Sequence, residues 1–245
     1  MLHRPARQLL LGVAADRMSL PRRLAAEMLG STFLAAVVIG SGIAAQHLSP
    51  GDVGLELLEN AAVTGAGLFA LILMFGRVSG AHFNPLVSAA DAALGGLPWR
   101  DVAPYAGAQV AGCVAGAVLA NAMYAKSLVS ISVHHRATGP HDVGEVVATF
   151  GLLLVIFALV RSDRTEKVAA AVGAYIGAAY FFTSSTSFAN PAIDVGRMFS
   201  NTFAGIAPSS VPLYVVAQVV GAVLAVGAIR FLYPAVPAVS EAPAT

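Results

Sequence analysis

The stretch "SGAHFNPLVSAADAALGG", residues 79–96, sets a histidine, an asparagine and a proline inside a chain built mostly of apolar residues. A second stretch, "SFANPAIDVGR", residues 187–197, repeats the Asn-Pro pair roughly a hundred residues later. Asparagine is a good helix N-cap, and proline suits the first helical position, where its missing N–H would have no partner anyway. Each pair therefore opens a helix. "NPLVSAADAAL" and "NPAIDVGRMFS" predict helices of about a dozen residues, against the roughly 20 needed to cross a hydrocarbon core about 30 Å thick.

Working outward from these two stretches, the rest of the chain does supply spans. Of 245 residues 57% are hydrophobic and only 11% charged, against about 25% charged in ordinary soluble domains. Apolar spans are predicted over residues 24–45, 56–76, 103–124, 144–160, 168–186 and 211–232. The expected fold is an all-α membrane protein with six transmembrane helices and two re-entrant half-helices. The N-terminal "MLHRPARQLLLGVAADRMSLPRR" runs into "RRLAAEMLGS" without a small-residue cleavage pattern and reads as a cytosolic tail, not a signal peptide. Cys113, the one cysteine, lies within a span and permits no internal disulfide. A net charge of +1 gives no case for a nucleic-acid partner.

Lys and Arg set the orientation. With the N-terminus inside, Arg4, Arg7, Arg17, Arg22, Arg23, Arg77, Arg100, Arg161, Arg164, Lys167 and Arg230 fall on the cytosolic side, and Lys126, Arg136 and Arg197 outside. Both termini are then cytosolic and the chain is expected in the plasma (inner) membrane.

The chain also repeats itself. "EMLGSTF" at 27–33 answers "EVVATF" at 145–150, "HFNP" answers "FANP", and "AQVAG" at 108–112 answers "AQVVG" at 217–221, in the same order. Three spans per half is an odd number, so the second copy enters the membrane from the opposite side. The layout expected is one domain over 1–245: a tail at 1–22, a first repeat at 24–124, an inverted repeat at 143–232 and a tail at 233–245. Inverted repeats place their site near the midplane, where the broken segments meet. Irregular backbone survives at that depth only inside protein or along a watery cavity. Two helix N-termini would there meet head to head, each carrying about half a positive charge, which opposes cations.

"SGAHFNP" with "NPA", the helix starts "ExxG" and "ExxAT" and the two "AQxxG" helices together resemble the aquaporin and glycerol-facilitator channels over nearly the whole chain. The resemblance implies a passive channel for water and small uncharged solutes: glycerol, other polyols and neutral metalloid acids such as arsenous acid. It implies a homotetramer in a lipid bilayer, with no cofactor and no metal. In such a channel Asn84 and Asn190, with Pro85, Leu86, Pro191 and Ala192, form the pore midplane. Carbonyls of Gly80, Ala81, His82, Thr186, Ser187 and Phe188 line the path. Glu27 and Glu145 would be structural carboxylates accepting hydrogen bonds from the re-entrant loops, with Gln109 and Gln218 beside them.

Several positions depart from the family pattern. The first motif reads Asn-Pro-Leu, so Leu86 either narrows the midplane or repacks against a neighbouring helix. The filter position nearly always held by arginine, the third residue after the second Asn, is Ile193. Counting without gaps places the other filter positions at Thr64, Ala178 and Ser187, none aromatic and none large, which predicts a wide, weakly polar constriction. Arg197, one turn beyond Ile193, is a candidate displaced filter charge; otherwise it pairs with Asp194 or snorkels to the interface. It is not a partner for Asp91. Each stands seven residues, roughly 10 Å, from its own Asn in opposite directions, so about 20 Å should separate them. His134, His135 and His141 read as a solvated outer loop. Two other functions fit parts of the sequence: a proton-coupled transporter using Glu27 and Glu145, and a membrane scaffold with a closed pore. No nucleophile-and-base arrangement or phosphate loop suggests an enzyme.

Overall fold

A computed structural model describes residues 18–233. The tails expected at 1–22 and 233–245 lie outside the described residues, apart from 18–22 and 233. Because the first helix already begins at Leu20, the end of the first tail is helical.

Among the described residues eight α-helices follow one another: α1 (Leu20–Leu48), α2 (Val53–Ser79), α3 (Pro85–Ala93), α4 (Trp99–Met123), α5 (Gly139–Arg161), α6 (Val168–Phe182), α7 (Pro191–Arg197) and α8 (Val211–Leu232). Side chains fix several starts. Asp52 Oδ1 accepts from the Leu55 N–H at 3.0 Å ahead of α2, and Thr138 Oγ1 accepts from the His141 N–H at 3.4 Å ahead of α5. Among the described residues five helices are long and apolar enough to cross a membrane: α1, α2, α4, α5 and α8 with the short turn before it. The sixth, α6, has 15 residues, roughly 22 Å of rise against a core of about 30 Å. The span expected to reach 186 stops at Phe182 because Thr183 turns extended, at φ −100° and ψ 138°. The half-helices are likewise shorter than the dozen residues expected, nine in α3 and seven in α7. α3 ends where Gly95 takes a left-handed φ of 93°.

The helices pack in two matching sets. α1 lies against α2 and α4, as α5 lies against α6 and α8, and α2 and α6 join the sets. At that joint a Cβ built on Gly65 would stand 2.7 Å from the Gly173 carbonyl oxygen, and one on Gly173 2.5 Å from the Gly65 oxygen. Backbones this close are how helices associate in lipid, where burying apolar surface gives no advantage. Call the side on which α1 begins the near face. α3 then runs from mid-depth back to the near face, and α7 from mid-depth to the far face.

Candidate functional site

The two re-entrant loops approach mid-depth in matching conformations. Ala81 and Ser187, three residues before each Asn, and Phe83 and Ala189, one before, all take left-handed φ values between 49° and 54°. Such backbone is costly for residues with a Cβ and persists only where surroundings over-determine it. Here two buried carboxylates do so. Glu27 accepts from the His82 N–H (3.0 Å), the Phe83 N–H (2.7 Å), Ser79 Oγ (2.6 Å) and Gln109 Nε2 (2.8 Å). Glu145 accepts from the Phe188 N–H (2.9 Å), the Ala189 N–H (2.8 Å) and Gln218 Nε2 (2.6 Å).

Each asparagine caps its own half-helix and ties it to the other. Asn84 Oδ1 accepts from the Leu86 N–H at 2.9 Å, and Asn190 Oδ1 from the Ala192 N–H at 3.0 Å. Asn84 Nδ2 donates to the Ala189 carbonyl at 2.7 Å, and Asn190 Nδ2 to the Phe83 carbonyl at 2.8 Å. An amide has two N–H donors. One of each is thus engaged across the repeat boundary, leaving the other for the lumen.

A cavity of about 1220 Å³ runs past both asparagines. It opens at the near face among Arg77, Asp91, Asp163 and Glu166 and reaches Thr64, Tyr180, Ser187, Phe188 and Ile193 toward the far side. Gly80, Ala81 and His82 line it as expected, but Thr186 does not; Phe83 and Ala189 do instead. His82 Nδ1 lies 3.0 Å from Ser88 Oγ and its Nε2 3.7 Å from Asp91 Oδ2, which holds the ring in the near-face wall. Pro85, Pro191 and Ala192 stay behind the lining. Leu86 also turns away, against the cluster of Val87, Leu153, Phe157 and Ala222, so of its two readings the structure selects repacking.

The far constriction corrects the gapless count. Ala178 is exposed on the outer surface of α6, and Tyr180 faces the lumen in its place, its hydroxyl 3.2 Å from Thr64 Oγ1. One aromatic ring therefore stands where none was expected. The sequence did carry a signal: Val172, Ile176 and Tyr180 recur at every fourth residue, as one face of a helix must. The remaining wall is Ile193, Phe188 and Ser187, whose hydroxyl is buried without a partner.

Arg197 follows neither simple alternative. It is 3% exposed, so it does not snorkel, and it makes no ion pair with Asp194, whose carboxylate oxygens have no hydrogen-bond partner. Its guanidinium carbon sits 3.5 Å from the Phe188 ring centroid, and Nε donates to the Ala204 carbonyl. Asp91 lies at the near mouth beside His82, on the opposite side of the midplane. Arg136, expected in a solvated loop, is partly buried: Nε donates to the Gly205 carbonyl at 2.7 Å and one terminal nitrogen to the Phe203 carbonyl at 2.8 Å. Its guanidinium carbon is 5.2 Å from the same Phe188 ring. Burial and the Arg136 charge hold the neighbouring His134 imidazole below its ordinary pKa.

Comparison with known proteins agrees with this geometry. The family model for major intrinsic proteins matches residues 14–196. The chain is 47% identical over 224 residues to aquaglyceroporin AqpS of Rhizobium meliloti, covering 91% of this chain and 95% of that one. It is 31% identical over 223 residues to the glycerol uptake facilitator protein of Streptococcus pneumoniae, covering 82% and 94%. The X-ray structure of the aquaglyceroporin from Plasmodium falciparum superimposes with a TM-score of 0.68, covering 86% of this chain and 96% of that one at 21% identity, a likeness of fold. Inverted halves, two Asn-Pro half-helices joined at mid-depth and a cavity running past them make the chain a member of the major intrinsic protein family, an integral membrane channel family.

Proposed function

We propose that the chain conducts water and small uncharged solutes passively, with glycerol and short linear polyols passing readily and neutral metalloid acids as further permeants. The observation that carries this reading is the cavity that passes both asparagine amides and meets a constriction without a charged side chain of its own. A solute hydroxyl passing mid-depth meets the free N–H of each asparagine, then the Thr64, Tyr180 and Ser187 hydroxyls. Carbons face Ile193 and Phe188. A polyol carries both kinds of surface, so it exchanges its hydration shell for matching groups, which is how pores of this kind select by diameter and lining. The names of the two relatives, an aquaglyceroporin and a glycerol uptake facilitator, support the same solute class.

Proton coupling through Glu27 and Glu145 finds no support in the geometry. Both carboxylates are fully buried, accept several hydrogen bonds and stand behind the lining. A scaffold with a closed pore sits badly with so large a cavity. We further propose that the near face is cytosolic in the plasma (inner) membrane, because Arg22, Arg23, Arg77, Arg100, Arg161, Arg164, Lys167 and Arg230 gather there. Exposed apolar side chains such as Leu29 and Phe33 on α1 and Phe181 and Phe182 on α6 suit lipid or neighbouring subunits of a homotetramer.

Stopped-flow light scattering on proteoliposomes tests the solute reading. Wild-type vesicles are expected to pass glycerol as well as water, and fast water with no glycerol flux overturns a polyol-permeable constriction. Ile193→Arg puts a guanidinium beside Tyr180 and is expected to slow glycerol about tenfold, a barrier of about 1.4 kcal/mol, and water less. Tyr180→Ala is expected to act oppositely, admitting polyols too large for the wild-type pore.

A further inference from the structure

Ile193 leaves the far constriction without its own charge, yet two guanidinium groups stand directly behind it. Arg197 comes from α7 and Arg136 from the loop that joins α4 to α5, and both approach the ring of Phe188, a lining residue. We infer that Arg136 is a selectivity-determining residue of this channel: with Arg197 it supplies, from behind Phe188, the positive charge that excludes cations from the far constriction. This rests on the reading of the chain as a solute channel and names how that same pore rejects ions.

Arg136 is fixed at every end. Its N–H donates to Ser210 Oγ at 3.0 Å, its carbonyl lies 2.6 Å from His141 Nδ1 and 3.3 Å from the Tyr214 hydroxyl, and its guanidinium spans the carbonyls of Gly205 and Phe203. Among the described residues neither arginine has a carboxylate within ion-pair distance. The second repeat has two buried carboxylates, Glu145 and Asp194, and they face elsewhere. Glu145 is saturated by the loop N–H groups and Gln218, and Asp194 does not reach the lining. Both charges meet a lining residue, Phe188, at its ring, which also packs edge-on against Tyr214. Buried apolar surroundings of this kind screen a field little, and 3.5 and 5.2 Å from the guanidinium carbons to the ring of this lining residue lie well inside the roughly 10 Å over which 0.1 M salt would screen exposed charges. A cation reaching Thr64 and Tyr180 must shed water while facing that field. An uncharged polyol has no net charge for that field to repel.

The test is potassium flux into proteoliposomes carrying a potassium-sensitive dye, with glycerol swelling measured on the same preparations. Wild-type potassium flux is expected to stay near that of protein-free vesicles. Arg136→Gln, which keeps polar reach to the loop carbonyls but removes the charge, is expected to raise it roughly tenfold. Arg136→Lys, which keeps the charge and loses the paired hydrogen bonds, is expected to stay close to wild type; a merely structural arginine would give the reverse order. Arg197→Gln, on a different element, provides a second route to the same leak should the loop variant fold poorly. The inference is overturned if wild-type vesicles already leak potassium, if Lys and Gln at position 136 leak alike, or if folded Gln variants at both positions keep the wild-type ion barrier. Absence of wild-type glycerol swelling would instead strike the solute-channel reading and leave the ion comparison intact.

Discussion

Glu145→Ala is expected to yield little folded protein. The substitution leaves the Phe188 and Ala189 N–H groups and Gln218 Nε2 without their acceptor, at a depth where water does not reach them. A buried donor stranded in this way costs about 1–3 kcal/mol. Three of them, about 3–9 kcal/mol together, are a large share of an ordinary stability of about 5–15 kcal/mol. Relief of the carboxylate's own burial offsets part of the loss, but the loop holding Ser187 and Ala189 at left-handed φ would also lose the group that keeps it there. Glu145→Gln retains one acceptor oxygen and replaces the other with a donor facing donors, so a smaller loss is expected. Yield of monodisperse protein and thermal unfolding in detergent measure both variants. An alanine variant with wild-type unfolding temperature and glycerol flux would show that the loop holds itself.

The second large effect is expected at Gly116. A Cβ there would stand 2.2 Å from the Thr32 carbonyl oxygen and 2.8 Å from the Ala35 Cβ, so α1 and α4 cross with nothing but hydrogen between them. A Cβ built on Gly112, one turn earlier, would stand 2.3 Å from the Met28 oxygen, and in the second half one built on Gly221 2.5 Å from the Val146 oxygen. Close backbone approach is the main source of helix association in lipid, and backbone cannot rotate aside as a flexible side chain can. Gly116→Leu is expected to abolish accumulation of folded channel, and Gly116→Ala to lower the unfolding temperature by the equivalent of about 1–3 kcal/mol. Gly107 and Gly227 have open space around a built Cβ. Alanine there is expected to be neutral or to add up to about 1 kcal/mol of helix stability. Equal responses at positions 107 and 116 would contradict the close crossing.

The architecture was legible because its chemistry is local. Asn-Pro marks the half-helices by capping alone, the paired glutamates and "AQxxG" segments expose the repeat, and the structure places Glu27 and Glu145 on the loops they were expected to hold. The far constriction was only half legible. Thr64, Ser187 and Ile193 line the cavity, but the gapless count fell two residues short of Tyr180. Two residues turn a helix side chain by about 200°, from the lumen to the outer surface. Arg136 was invisible for another reason: the carbonyls that bury it belong to Phe203 and Gly205, 67 and 69 residues away, and no local pattern announces such a contact. Leu86 had two readings because a single side chain at a helix start does not say which neighbour it meets.

The crossed amides of Asn84 and Asn190 also bear on how the molecule is made. The acceptor for Asn84 lies 105 residues downstream, and the Phe83 carbonyl waits for a donor 107 residues away. During synthesis the first half enters the bilayer with its re-entrant tip unsatisfied, and that tip stays a place for water or a chaperone until the second half arrives. Closure is then mutual. Each half completes the other with the same two groups, a carbonyl before the asparagine and the amide of the asparagine itself. A gene encoding only one such half would therefore produce a segment whose natural complement is an inverted copy of itself, and fusion of two copies would turn a meeting between molecules into a step within one chain.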